Sequence, residues 1–88
     1  MIRREHVIKN RLGLHARAAA QLVKTANRFR SEIFIEKEGI EVNGKSIMGL
    51  LMLAAPQGSR ISVSVAGDDA DQAIQAIGQL IDDGFGEQ

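Results

Sequence analysis

The stretch RISVSVA, residues 60–66, decides the fold class of this chain of 88 residues. Its apolar side chains alternate with serines, so that Ile61, Val63 and Val65 share one face and the two serines share the other. A period of two is typical of a β-strand with one buried and one solvent-exposed face, as found in antiparallel sheets covered on a single side. The stretch therefore predicts an antiparallel sheet with one dry face and one wet face.

The residues that follow this strand have the pattern of a helix. Gly67, Asp68 and Asp69 form its predicted cap, because acidic residues suit the positive N-terminal end of a helix. Apolar residues then recur at spacings of three and four: Ala70, Ala73, Ile74, Ile77, Leu80 and Ile81. This spacing predicts an amphipathic helix that begins near residue 70, and Gly84 is expected to end it.

Two further helices are predicted earlier in the chain. The first begins at His15. Its predicted apolar face, flanked by Leu22 and Phe29, consists of Ala16, Ala19, Ala20, Val23 and Ala26. Ser46 stands at an N-cap position ahead of a second, short segment, 47–53, that is apolar nearly all round. Because this segment contains a glycine, a poor helix former, packing has to hold the second helix in place.

Three further segments complete the sheet. Residues 2–9 and 32–37 have strand character, and residues 40–43 return after a tight turn, which predicts a hairpin. The predicted element order is therefore β-α-β-β-α-β-α. We predict a single α+β domain over residues 1–88, an open-faced sandwich in which a four-stranded antiparallel sheet is covered on one face by three helices.

The composition excludes several classes of function. Lys and Arg number 11, as do Asp and Glu, and this zero net charge argues against a non-specific nucleic-acid binder. The chain has no cysteine, so neither a disulfide framework nor a thiolate zinc site is possible. The charged start of the chain argues against a signal peptide, and no apolar segment has the length of a membrane span. We expect a cytoplasmic protein without membrane insertion, metal or cofactor.

His15 is the strongest candidate for chemistry because it lies between a glycine-containing loop and the start of the first helix. The backbone N–H groups of Ala16 and Arg17 and the positive end of the helix dipole form an anion site there. A neutral imidazole can attack phosphorus, and the Arg17 guanidinium can bind phosphoryl oxygens in a forked geometry. These residues alone leave a second interpretation open, in which His15 is an ordinary residue of a helix start and Arg17 an exposed charge.

The other histidine, His6, is expected to have a structural role. It shares the parity of Ile8 in the first strand, so its side chain is predicted to face the covered side of the sheet or its margin. No second histidine, cysteine or carboxylate stands at metal-ligand spacing from it, which argues against a metal site.

Two separated motifs resemble the signatures of the HPr family. GLHAR at residues 13–17 resembles the active-site signature of that family, and NGKSIMGL at residues 43–50 resembles its second signature, which is centred on a regulatory serine. The resemblance extends over essentially the whole chain, including the Gly-Phe-Gly-Glu-type ending. It implies a phosphocarrier, not a free-standing enzyme. In such a protein His15 accepts a phosphoryl group on Nδ1 from phosphoenolpyruvate through enzyme I and passes it to sugar-specific or regulatory proteins of the phosphotransferase system.

The resemblance gives Ser46 a second role beside that of a helix cap. It implies regulatory phosphorylation at this serine, so HPr kinase/phosphorylase is a further expected partner. A phosphate there would add negative charge at a helix N-terminus and repel an acidic partner. The expected docking surface combines apolar and basic side chains: Ile47, Met48, Leu51, Arg17, Lys24 and Arg28. The alternative for the apolar segment is a helix buried on most sides, and the protein is expected to act as a monomer.

The chain departs from the family pattern at two positions of the first helix. Ala18 stands where proline is usual, which predicts a slightly less rigid helix start with intact chemistry. Ala20 replaces a larger side chain, which bears on the affinity for partners. Two other functions stay open at this point, a purely regulatory paralogue of the nitrogen-related type and a protein-docking α+β domain without phosphochemistry.

Overall fold

Strands and helices follow one another in the predicted order. The computed structural model describes residues 1–87, so Gln88, the last residue of the predicted domain, lies outside the described part. Within residues 1–87 the elements are β1 Ile2–Val7, α1 Ala16–Ala26, β2 Glu32–Lys37, β3 Ile40–Asn43, α2 Ile47–Met52, β4 Arg60–Ala66 and α3 Ala70–Asp82. A further 3₁₀ turn, Gly84–Gly86, was not predicted; we call it the C-terminal turn.

The first strand is shorter than predicted and ends at Val7 instead of Lys9. The next residue, Ile8, exchanges backbone hydrogen bonds with the connection that precedes β4. Its N–H donates to the carbonyl of Ser59 at 2.9 Å, and its carbonyl accepts from the N–H of Gly58 at 2.8 Å. The chain therefore leaves the regular ladder at this point and begins the loop that leads to His15.

The sheet has the strand order β1-β4-β2-β3, and each neighbouring pair is antiparallel. β4 is central, since Val63 pairs with Arg4 of β1 on one side and with Ile35 of β2 on the other. The core lies between one face of this sheet and the three helices. Its largest members include Ile33, Ile35, Ile61, Val63, Val65, Leu22, Leu50, Ile74, Ile77 and Ile81. The predicted α+β open-faced sandwich is therefore confirmed.

The predicted wet face of β4 is wrong in one respect. Ser62 and Ser64 are buried, with exposed fractions of 7% and 2%. They lie between longer side chains of the neighbouring strands, where Arg3 of β1 is paired with Ser64 and Glu36 of β2 with Ser62. The Arg3 guanidinium donates a hydrogen bond to the Glu36 carboxylate across the central strand. Small polar residues in a central strand are thus covered by an ion pair of their neighbours.

The predicted apolar face of α1 is rotated from the observed one. Ala16 and Ala20 are exposed, and Val23 is only partly buried. The buried residues of the helix are Ala18, Ala19, Leu22 and Ala26. An alanine-rich helix has no strong preference for one face, because burying a methyl group contributes little free energy. The larger Leu22 side chain, fully buried in the core, sets the rotation of the helix.

Asp69 is the N-cap residue of α3, as predicted, but its side chain makes no capping hydrogen bond to the helix. Its carboxylate instead accepts hydrogen bonds from the backbone N–H groups of Arg30 and Ser31 and from the Ser31 hydroxyl. These bonds, above all that of the hydroxyl, hold the pKa of Asp69 below its usual value. The start of α3 is thereby tied to the connection between α1 and β2. The predicted stop is confirmed, because Gly84 follows the helix with a φ of +64°.

Candidate functional site

The backbone around His15 is fixed by close contact with the connection between α2 and β4. Gly13 has a φ of +69°, and an added Cβ at this position would lie 2.5 Å from the carbonyl oxygen of Ala55. The N–H of Leu14 donates to that same oxygen at 2.9 Å. His15 follows with an extended backbone, at φ −84° and ψ −177°, and is the N-cap residue of α1. The sequence correctly placed it at the junction of loop and helix.

The first turn of α1 offers unused hydrogen-bond donors beside His15. Among residues 1–87, no acceptor contacts the N–H groups of Ala16, Arg17 and Ala18, whereas the N–H of Ala19 donates to the carbonyl of His15 at 2.8 Å. Free N–H groups at the positive end of a helix dipole bind anions. The predicted anion site therefore has the donors it needs, and Ala18 adds an N–H that a proline would lack.

A shallow cleft of about 620 Å³ opens next to the imidazole. Three of its lining residues were predicted from the sequence: His15, Ala16 and Arg17. The other three, which sequence reasoning missed, are Arg11, Leu12 and Glu87. The side chain of His15 is 27% exposed, so an incoming group can reach it. Arg17 is exposed and makes no ion pair within 4.0 Å among the described residues. Its guanidinium is free to bind an anion in the cleft.

Glu87 is the functional candidate that the sequence did not single out. Its Oε2 lies 2.5 Å from Nε2 of His15, and its Oε1 accepts a hydrogen bond of 2.9 Å from Nδ2 of Asn10. The Asn10 bond, followed by the bond and charge of His15 and the charge of Arg17, holds the pKa of Glu87 below its usual value. No local pattern could have linked residues 72 positions apart; the only signal was the resemblance of the chain ending to that of the family.

Ser46 is the predicted helix cap. Its hydroxyl oxygen accepts a hydrogen bond of 3.0 Å from the N–H of Gly49 in the first turn of α2. The neighbouring Lys45 donates through Nζ to the carbonyl of Phe29, which follows α1, at 2.8 Å. The structure thus confirms the cap and ties the start of α2 to the end of α1.

The apolar surface of α2 is exposed as predicted. The exposed fractions are 41% for Ile47, 70% for Met48, 36% for Leu51 and 76% for Met52, whereas Leu50 and Leu53 are buried. The alternative of a helix buried on most sides is therefore wrong. α1 packs against α2, and three predicted basic residues are exposed: Arg17 and Lys24 of α1 and Arg28, which follows it. A role of these residues in docking stays a prediction.

His6 has a different environment from His15. Its Nδ1 lies 3.1 Å from Oδ1 of Asp82, and its Nε2 is buried without a hydrogen-bond partner in the described chain. The ring lies against α3, where a Cβ added at Gly78 would come within 2.8 Å of its Cε1. No group of three potential metal ligands occurs among residues 1–87. In the same range, no helix has the length and apolarity to cross a membrane.

The sequence that forms this site is similar to that of known proteins. The family model "PTS HPr component phosphorylation site" matches residues 2–83. The chain belongs to the HPr family. Phosphocarrier protein HPr of Xylella fastidiosa (strain 9a5c) is 46% identical over 87 residues, which cover 99% of this chain and 98% of that protein. The motif around His15 and the motif around Ser46 both lie inside the matched range.

Solved HPr structures have the same fold. HPr-C-His from Thermoanaerobacter tengcongensis superposes with a TM-score of 0.96 at 46% identity, and the match covers 100% of this chain and 99% of that one. The HPr relative Crh of Bacillus subtilis, a catabolite repression protein described as a dimer with a swapping domain, superposes with a TM-score of 0.77 at 37% identity. That match covers 96% of this chain and 97% of Crh. The similar proteins thus include phosphocarriers as well as Crh, which is described as a catabolite repression protein.

Proposed function

We propose that this protein accepts a phosphoryl group from enzyme I on His15 and passes it to a sugar-specific or regulatory protein of the phosphotransferase system. One observation carries the proposal: the imidazole stands at the start of α1 beside three unused N–H donors and the exposed Arg17. Such a site needs no metal, because phosphoryl transfer depends mainly on positioning and on stabilising charge. We further propose that the protein acts in the cytoplasm as a monomer. Because Crh is described as a dimer, the oligomeric state of this protein should be measured in solution.

The chemistry is a reversible displacement at phosphorus. A ring nitrogen of His15 forms a bond to phosphorus while the bond between phosphorus and the donor breaks, and the electron pair leaves with the donor. The three phosphoryl oxygens then lie within reach of the N–H groups of Ala16 and Arg17 and of the Arg17 guanidinium. These contacts stabilise charge in the same way for uptake and for release, which suits a carrier.

The direct test is phosphorylation of the purified protein by enzyme I with labelled phosphoenolpyruvate. We expect one phosphoryl group per chain in a form that is labile to acid and stable to alkali, as phosphohistidine is. Passage of this label to a sugar-specific component supports the transport role, and passage only to a regulator supports the regulatory paralogue. A protein that takes up no label at all is the docking domain without phosphochemistry.

Arg17→Ala is expected to slow phosphoryl uptake about 10- to 100-fold, because charge-assisted hydrogen bonds contribute about 1.5–3 kcal/mol. The melting temperature should stay near that of the wild type, since Arg17 is exposed and such substitutions change stability by about 0.5 kcal/mol or less. Arg30→Ala, which removes the same charge from an exposed residue outside the expected docking surface, is the control and should keep most of the rate. Parallel losses of rate and melting temperature in Arg17→Ala would assign it a structural role.

Ser46→Asp tests regulation at the second motif. We expect this substitution to slow the phosphorylation of His15 at low salt, because the added negative charge opposes the attraction of an acidic partner to the basic residues of α1. The rate should recover at high salt, which screens this charge. Ser46→Asn is the matched control, since asparagine caps helices as well as aspartate but carries no charge. Equal rates for the two variants at low salt would leave Ser46 as a helix cap only.

A further inference from the structure

The C-terminal turn places one carboxylate, that of Glu87, beside the imidazole of His15. Phe85, at the centre of this turn, is 1% exposed and adopts a φ of +57°, so its ring anchors the end of the chain in the core. Glu87 follows with Oε2 at 2.5 Å from Nε2 of His15. The buried Asn10 holds the other carboxylate oxygen through Nδ2, which also donates to the carbonyl of Gly13 at 2.8 Å. The carboxylate is therefore tied to the same loop that places the histidine.

This contact distinguishes the two nitrogens of the ring. An ionised carboxylate only accepts hydrogen bonds, so Nε2 has to be the nitrogen that carries the proton. In a neutral imidazole the lone pair then resides on Nδ1, which has no hydrogen-bond partner among the described residues. The carboxylate contacts neither Nδ1 nor the N–H groups of the first turn of α1, so the anion site stays open.

We propose that Glu87 is a positioning residue, which holds the proton of His15 on Nε2, presents Nδ1 to phosphorus and stabilises the cation formed there. This inference rests on the proposed function. The Nδ1 lone pair forms the N–P bond, and the bond between phosphorus and the donor breaks, its electron pair leaving with the donor. The Nε2 proton stays in place, so the ring becomes a cation beside the carboxylate. When the phosphoryl group moves on, the N–P electron pair returns to Nδ1 and the ring is neutral again.

The first arm of the test is NMR of His15 without any phosphoryl donor. In the wild type we expect a protonated Nε2, with an observable Hε2 resonance because the hydrogen bond slows exchange with water, and an unprotonated Nδ1. Glu87→Ala should lose this resonance. Asp83→Ala, which removes an equal charge close to the same chain end, should keep it. A wild-type ring protonated on Nδ1, or an Hε2 resonance that survives in Glu87→Ala, overturns the inference.

The second arm is the rate of phosphoryl uptake from enzyme I. We expect Glu87→Ala and Glu87→Gln to be slower by about tenfold, which corresponds to about 1.4 kcal/mol, with unchanged melting temperatures. The glutamine variant keeps the shape but loses the charge that stabilises the cation. Uptake by both variants at the rate of the wild type overturns the inference alone. Absence of uptake by the wild type overturns the proposed function itself, so the two failures are distinguishable.

Discussion

His15→Ala is expected to abolish phosphoryl uptake from enzyme I, the largest effect that any single substitution in this chain should have. Among residues 1–87 the imidazole is the only nucleophile at the unused N–H donors of α1, and alanine offers no atom to bond to phosphorus. Fold and stability should change little, because the His15 side chain is partly exposed and makes no capping hydrogen bond to α1. The measurement is acid-labile label per chain after incubation with labelled phosphoenolpyruvate.

His6→Ala is the matched control for this experiment and should retain full uptake. Its ring lies against the C-terminal half of α3, beside Gly78 and Asp82, and one of its nitrogens is buried. Residual acid-labile label in His15→Ala that disappears in a His6/His15 double variant would show that the second histidine carries phosphate and that the site is wrongly assigned.

Gly13→Ala is expected to destabilise the protein by about 2–5 kcal/mol, which combines the left-handed backbone with a steric clash. The φ of +69° disfavours any residue with a Cβ. In addition, that Cβ would meet backbone atoms that cannot move aside, the carbonyl oxygen of Ala55 at 2.5 Å and Cα of Pro56 at 2.9 Å. Thermal unfolding should show a drop of about 10 °C or more.

Gly39→Ala separates the two contributions to this loss. Gly39 has a φ of +83°, but an added Cβ there has no neighbour within 4 Å. This variant therefore bears only the conformational cost of about 1–2 kcal/mol. Equal losses of stability in Gly13→Ala and Gly39→Ala would mean that the contact with Ala55 and Pro56 is not tight. A larger loss in Gly13→Ala identifies this contact as the support of the His15 loop.

Local patterns predicted most of the fold. The bounds of β2, β3 and β4 agree with the predicted ones, because strict alternation and tight turns define strand ends from nearby residues alone. Predictions failed where a distant neighbour decides. The burial of Ser62 and Ser64 depends on which strands lie beside β4, and the partner of Asp69 belongs to a connection 38 residues earlier. The rotation of α1 failed for another reason, since its alanines carry little information about burial.

The same division applies to the candidate site. His15, Ala16 and Arg17 lie within one helical turn, so the chemistry of a helix start could be inferred from their order. Glu87 reaches the imidazole through the packing of Phe85 in the core, and Asn10 holds its carboxylate; no short-range pattern describes this arrangement. The regulatory and docking residues are intermediate: exposure of Met48 and Met52 followed from the shortness of α2, whereas their use by a partner requires experiments.

The central position of β4 also affects the order in which the strands of the sheet can pair during folding. β4 is the last of the four strands in residues 1–87, yet it lies between β1 and β2, which do not pair with each other. During synthesis the β2–β3 hairpin can form from local contacts, but β1 has no partner until β4 leaves the ribosome. Non-local pairing of this kind slows folding. Ala55 and Glu87 also follow His15 in the chain, so the sheet and the surroundings of His15 both depend on residues that are synthesised after β1 and His15.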